Sequence, residues 1–450
     1  MKLRILLLAA GATTALFAQS EVRDEVLERG RERILAVIAK LANYTCTETV
    51  NRQEFVQTVP RLPQGSCDQI DANRKNGVSR LELVREDRLR LDVEVTDQGI
   101  ELYSWPGASR MGSEQVQDFV GGGAFQTGAF GPFLINVFSI PGVRFWSEGT
   151  TSINGQEVHQ YRYLVPMEAS HYRIAVGGAT RVVPYDGRFW LDPATGDLRR
   201  LLVRTGELSR STGNCEAATT VDFGLIRIGG HESLVAERSV FHVVRRDAVE
   251  QENVTTYSGC HEFLGESTVH FGDTAAEEGK AEPPGAVAKT AESEGRKKGF
   301  PPGVRLTIRF EAAIDSTTSA AGDLVAAVAR QKESNPKRRL LPDGGAPLRC
   351  RLTRLENNLR TAQMNISIAC EAMQLSGQWI PFSGVIDKPL DLLDAMKKKG
   401  IDDVTVARER PSLAGGATFA FPMKGTRTVV GPFSSEWIST VPKANAGNTH

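Results

Sequence analysis

Residues 187–204, GRFWLDPATGDLRRLLVR, leave few folding options. Phe189 and Leu191 share one face of a first arm, and Leu201 and Val203 share one face of a second. Side chains that alternate with a period of two mark a half-buried strand. Between the arms lies DPATGD, where Pro193 fixes φ and Gly196 can take a positive φ. The stretch therefore reads as strand, tight turn, strand.

The same grammar runs on both sides of this hairpin. In residues 88–96, Leu89, Leu91, Val93 and Val95 alternate with Arg90, Asp92 and Glu94, and the Asp97-Gln98-Gly99 turn leads into a strand at 100–105. Asn154-Gly155 is a two-residue hairpin turn ahead of a strand at 156–165, where Tyr161 and Tyr163 share a face with His159 and Val165. Further strands read at 172–176, 181–191, 198–204, 217–228, 233–245 and 253–263. An amphipathic helix precedes them at 21–41, with Leu27, Ile34, Ile38 and Leu41 on its apolar stripe and Ser20 as cap. Residues 120–140, VGGGAFQTGAFGPFLINVFSI, break the pattern: they are rich in Gly and Phe and carry no charge. They read as a buried loop with a short helix, or as an apolar lid over a cavity.

Residues 272–302 are Ala, Glu, Lys, Gly and Pro with almost no large apolar side chain, which is the composition of a disordered linker. A second β unit follows. Val304, Leu306, Ile308 and Phe310 alternate with polar residues, and Leu324/Ala326/Val328, Leu348/Cys350/Leu352 and Ile366/Ile368/Cys370 repeat the pattern. Phe419, Phe421 and Trp437 complete its apolar set, and a short helix is expected at 389–399. The fold expected is mainly β: a large curved antiparallel sheet, an incomplete barrel with an N-terminal helix, plus a smaller β-barrel or sandwich. The expected divisions are a signal peptide at 1–18, the first domain at 20–271, the linker at 272–301, the second domain at 302–441 and a tail at 442–450.

The first residues have the form of an export signal: Lys2 and Arg4 precede an apolar run at 5–17, with cleavage expected near Ala18. That run is too short to span a bilayer comfortably, and no second run of spanning length follows. Periplasmic or secreted localisation is expected. Six cysteines, Cys46, Cys67, Cys215, Cys260, Cys350 and Cys370, then suggest disulfides. No Cys/His spacing suits zinc, so no metal and no cofactor are expected. A hairpin turning near Arg360 would place Cys350 opposite Cys370. Cys46 is paired with Cys67 around a Pro/Gly-rich loop, which leaves Cys215 with Cys260. Lys plus Arg and Asp plus Glu are equal at 54 each, so the basic surplus that nucleic acid demands is missing.

The helix-first, many-stranded meander containing FWLDPATGDLRRLLV resembles the periplasmic lipoprotein-carrier fold of the LolA/LolB type, over about residues 20–273. That resemblance implies an incompletely closed antiparallel barrel wrapped around a helical lid and an apolar cavity, and it carries over no ligand-contacting residue. NYTCTETVNR, DFVGGGAFQTGAFGPFL, SHYRI and TTYSGCHEFLGES also resemble a group of exported bacterial proteins without assigned function. Residues 302–328 are similar in style to small β-barrel domains of cell-envelope proteins.

Catalytic motifs are fragmentary. There is no G-x-S-x-G elbow, and His231-Glu232 and His261-Glu262 lack a second zinc-protease histidine. Ser334-x-x-Lys337 lies in a polar loop without companion motifs, and His159 and His171 read as sheet residues. The first expectation is a non-catalytic envelope protein that binds a lipid, a lipoprotein acyl chain or another apolar ligand. Its cavity would be enclosed by the sheet, by Leu27, Ile34 and Ile38 of the helix, and by Phe125, Phe130, Phe133 and Leu134 of the Gly/Phe segment. The alternatives are a scaffold that contacts other envelope proteins, and an exported hydrolase.

Overall fold

The computed structural model describes residues 24–40, 44–58, 66–96, 99–108, 111–112, 116, 119, 123–176, 179–228, 230–262, 299–331, 339–387, 408–411, 416–423, 425 and 427–442. The expected signal segment, most of the linker, the helix at 389–399, and Leu41 lie outside the described residues. In the first unit the helices are α1 (Glu25–Ile38), α2 (Cys67–Lys75) and α3 (Pro132–Phe138). Its strands are β1 (Tyr44–Gln57), β2 (Leu81–Val95), β3 (Glu101–Ser104), β4 (Arg144–Ile153), β5 (Gln156–Val165), β6 (Arg173–Val176), β7 (Ala179–Val182), β8 (Tyr185–Leu191), β9 (Leu198–Thr205), β10 (Asn214–Ile228), β11 (His231–Arg245) and β12 (Val249–Glu262). The antiparallel order is β4-β5-β8-β9-β10-β11-β12-β1-β2-β3, and β4 and β3 do not meet. The sheet is open. β6 and β7 form a separate hairpin, so the single strand expected at 181–191 is broken between Val182 and Tyr185.

The turn of the 187–204 hairpin seats α1. Asp192 Oδ1 accepts from the amides of Ala194 and Thr195, at 3.0 and 3.1 Å, and the Gly196 amide donates to Asp192 O at 2.9 Å. Arg29 donates to Pro193 O at 2.9 Å, and Arg33 reaches the buried Asp197 carboxylate at 2.6 Å. Gly30 permits the contact, since a Cβ there would lie 2.3 Å from Leu191 Cδ1. The helix starts at Glu25, later than expected, because Asp24 caps it by accepting from the Leu27 amide at 3.1 Å. The Tyr161 hydroxyl donates to the same carboxylate at 2.9 Å, tying the cap to β5.

The second unit contains β13 (Arg305–Phe310), β14 (Ile314–Asp315), β15 (Leu324–Gln331), β16 (Ala346–Asn358), β17 (Gln363–Leu375), β18 (Gln378–Pro381), β19 (Gly384–Ile386), β20 (Arg408–Pro411), β21 (Ala417–Pro422), β22 (Val429–Val430) and β23 (Phe433–Ser439). Here the pairing returns to its start: β13-β15-β16-β17-β21, a bridge from Gly416 to Val385 of β19, then β23 and β13 again. Gly416 is required at the closure. Its φ is +85°, and a Cβ would lie 2.1 Å from Ile368 O. Phe310, Phe419, Phe433 and Trp437 are buried inside, with Phe310 and Phe433 centroids 4.8 Å apart. Phe300 is also buried in this core, so the unit begins before residue 302.

One register differs from expectation. Val325, Ala327 and Ala329 of β15 face the interior, while Leu324 is 56 % exposed. Ala327 pairs with Phe310 and Ala329 with Ile308, so small side chains sit beside large ones and the barrel fills without overpacking.

Two of the three expected disulfide pairs are also corrected. Cys46 bonds Cys260 and Cys67 bonds Cys215, while Cys350 bonds Cys370. From Cys46, β1 runs on to Gln57, carrying the chain roughly 35 Å away at ~3.3 Å per residue. Its antiparallel partner β12 brings Cys260 alongside instead, at the bulge between the Thr45–His261 and Thr47–Ser258 pairs. Cys215 opens β10, where α2 packs with Ile70 against Val244.

The two units share one continuous sheet. On the edge of β2 away from β1, Arg85, Glu86 and Asp87 pair with Asn358, Asn357 and Glu356 of β16. Farther along, the Ala321 amide donates to Arg88 O and Ala321 O accepts from the Arg90 amide, at 2.9 and 2.7 Å. β3 then takes Asp92–Val95. Barrel and β3 together occupy an edge that would otherwise offer unpaired backbone groups.

Candidate functional site

The concave face of the open sheet divides by side-chain size. Under α1, β5 and β8 contribute Tyr161, Tyr163, Tyr185 and Phe189, and Phe138 of α3 packs edge-on against Phe189 at 5.1 Å. That half is filled. Farther round, β10, β11 and β12 present Ala217, Thr219, Phe241, Val243, Gln251, Asn253 and Thr255 to the same face. Apart from Phe241 these residues are small or polar, and they leave a cleft of about 910 Å³. Ala217 pairs with Val243 in register, and with Phe241 and Ala124 they form a small apolar cluster apart from the main core. All four line the cleft.

The cleft is roofed by residues 123–131, and polar contacts hold this roof in place. The Ala124 amide donates to Gln251 Oε1 at 2.8 Å, and Asn253 Nδ2 donates to Ala124 O at 2.9 Å. Thr219 donates to Gln126 Oε1 at 2.6 Å. At the other end, the Glu101 carboxylate of β3 accepts from the amides of Gly128 and Phe130, at 2.5 and 3.0 Å, and from the Tyr103 hydroxyl at 2.5 Å. Burial pushes the Glu101 carboxyl up from its ordinary range, and those donors hold it back. Glu48 of β1 is buried nearby with its Oε1 unpartnered. Burial first, and then the Glu101 charge, raise the Glu48 carboxyl well above the ordinary range. Arg173, Arg245 and His171 also line the cleft.

The expected site residues separate. Phe125 and Phe133 line the cleft, Phe133 stacked on Tyr172 at 6.0 Å. Phe130 and Leu134 are core residues; Phe130 stacks on Tyr257 at 5.6 Å beneath the roof. Leu27, Ile34 and Ile38 pack on the aromatic half of the sheet and do not line the cleft. The helix therefore does not form a wall of the cavity: the aromatic side chains beneath it take up that space.

Sequence reading missed Glu101, Gln251, Asn253, Arg173 and Arg245, and it placed His171 as an ordinary sheet residue. A signal was present in β12, whose buried face reads Gln251, Asn253, Thr255 and Tyr257. A strand with polar side chains at its inward positions marks a face not wholly covered by core.

The hydrolase reading finds little support. His242 Nε2 lies 2.9 Å from Glu250 Oε2, but Arg74 and Gln57 share that carboxylate. Among the described residues no histidine side chain hydrogen-bonds to a serine, threonine or cysteine, and no cluster of metal-ligating residues occurs. A second groove, of about 450 Å³, lies where the two units meet. Its Arg52 is held by Asp87 through two bonds of 2.7 Å.

No family model matches this chain, and no curated protein matches it. Two solved structures are similar to it. A putative outer membrane lipoprotein-sorting protein domain from Vibrio parahaemolyticus is 12% identical, over 53% of this chain and 92% of that one, with a TM-score of 0.26. A DUF1329 family protein from Desulfovibrio piger is 10% identical, over 55% of this chain and 97% of that one, again with a TM-score of 0.26.

Proposed function

We propose that this chain is an exported, non-catalytic envelope protein that holds the apolar tail of a lipid or lipoprotein in the cleft above β10–β12. The observation that carries this reading is the apolar patch of Ala217, Phe241, Val243 and Ala124, which borders about 910 Å³ of unfilled space. A volume of that size is within the range that holds small-molecule ligands. Each buried methylene would contribute about 0.8 kcal/mol. A single acyl chain would thus gain on the order of 10 kcal/mol before the costs of association. The roof is held mainly by hydrogen bonds to polar side chains, which can be exchanged for water when a ligand enters or leaves.

Filling the floor tests this directly. Ala217→Trp places bulk in the cleft without removing a core side chain. The full chain should bind a fluorescent fatty acid, and the variant should bind it at least about tenfold more weakly at unchanged melting temperature. A folded wild-type protein that binds no acyl probe and copurifies with no lipid would sink the proposal.

A further inference from the structure

We propose that the ligand of this cleft is an anionic amphiphile, its acidic head held by Arg173 and Arg245 and its tail by the apolar floor. This inference rests on the tail-binding reading above and adds the chemistry of the head. The chain as a whole is neutral, with 54 basic and 54 acidic residues. The cleft lining is not. Its charged and titratable side chains are Arg173, Arg245, His171, Tyr172, whose phenol burial pushes up to about 12, and one carboxylate, Glu101. That carboxylate is buried and committed to the Gly128, Phe130 and Tyr103 donors, so it offers nothing to a ligand. Arg173 is exposed on β6 and makes no ion pair among the described residues. Arg245 pairs with Asp247 at 2.7 Å, with both side chains more than two-fifths exposed. An exposed pair of this kind contributes little and exchanges readily for a better anion.

The floor of Ala217, Phe241 and Val243 accepts methylenes, and the two guanidinium groups accept a carboxylate or phosphate through paired N–H donors. Apolar floor and cationic groups border one space, so a single molecule with a tail and an acidic head satisfies both. A cationic or zwitterionic head gains less there, and a free anion leaves the floor uncovered.

The experiment compares one tail with different heads. The delipidated full chain is titrated by calorimetry, below the critical micelle concentration, with dodecyl phosphate, dodecanoate, dodecyltrimethylammonium and dodecyl maltoside. Inorganic phosphate is titrated separately. Wild-type protein should bind the two anionic probes at least about tenfold more tightly than the cationic one, with the gap narrowing as salt rises. Arg173→Glu combined with Arg245→Glu should reverse that order, and dodecyl maltoside binding should shift less than that of either charged probe. Equal binding of all four heads would overturn the anionic-head assignment while leaving the tail reading intact. Binding of none would overturn the tail reading itself. Inorganic phosphate binding as tightly as dodecyl phosphate would also overturn the proposal, since the tail would then contribute nothing.

Discussion

The two β units solve the same problem in opposite ways. The barrel closes on itself and fills its interior with Phe310, Phe419, Phe433 and Trp437, so it needs no cover. The ten-stranded sheet from β4 to β3 stays open, and its concave face must be covered by other parts of the chain. Helix α1 and an aromatic layer cover one half, and a hydrogen-bonded roof covers the other while leaving a cleft. Closure spends all available space on packing. An open sheet leaves a surface whose covering can be partial, and partial covering is what makes room for a ligand.

The contrast is sharpest in the disulfides. Cys46–Cys260 and Cys67–Cys215 span 214 and 148 residues within the open unit, whereas Cys350–Cys370 spans 20 within one barrel hairpin. By loop-closure entropy the two long cross-links are each worth about 5 kcal/mol and the short one about 3. Replacing Cys46 and Cys260 together by serine should therefore cost more than replacing Cys350 and Cys370. Denaturant unfolding of each double variant measures it. A greater loss for the barrel pair would mean that the barrel, not the open sheet, depends on its cross-link.

Backbone crowding gives the next largest effect. At Gly416 a Cβ would meet the Ile368 carbonyl oxygen in a strand locked by closure, and φ is positive. Gly416→Ala should cost about 3–5 kcal/mol. At Gly30 the obstructing atom is the tip of the Leu191 side chain, and the residue is helical, where Ala is favoured by about 1 kcal/mol. Gly30→Ala should change stability by no more than about 1 kcal/mol, as α1 shifts on the open sheet. Equal losses at the two sites, read from thermal unfolding, would mean that the covering helix is as rigidly fixed as the barrel seam.

Much of this architecture was legible where side chains contrast. Leu89, Leu91, Val93 and Val95 announce a strand with one wet face, and those four are buried. In residues 324–329, LVAAVA, apolar side chains occupy both sets of alternate positions, so hydrophobicity does not choose a face; the neighbours Phe310 and Ile308 do. The Cys46 partner depends on β1 pairing with β12, more than 200 residues away, a choice made by sheet order and not by local spacing. The cleft was hidden for a related reason. The Gly/Phe segment looks apolar, yet its roof is fixed by Glu101 of β3 and by Gln251 and Asn253 of β12, two distant places in the chain.

The smallest expected effect distinguishes the interiors by charge. The open unit buries two carboxyls on its concave side, Glu48 and Glu101. Among the described residues the barrel's acidic Glu356 is buried at the joint, where it bonds Arg354 at 2.6 Å. Glu48 and Glu101 both have folded values above the ordinary range, with burial the leading cause. The folded state therefore keeps protons that the unfolded chain releases. With more protons bound when folded, unfolding free energy falls as pH rises from the ordinary carboxylate range, about 4.3, through the raised folded values. Glu48→Gln cannot ionise and removes its share of that slope while keeping the side chain's size. The variant should gain on wild type as pH increases above the ordinary carboxylate range, because only the wild-type chain releases this proton on unfolding. Other carboxylates with lowered values act in the opposite sense, so the informative quantity is the difference between the two proteins at each pH. A difference that stays constant, or that grows on acidification, would mean that Glu48 is ionised in the folded protein and has a charged or hydrated partner.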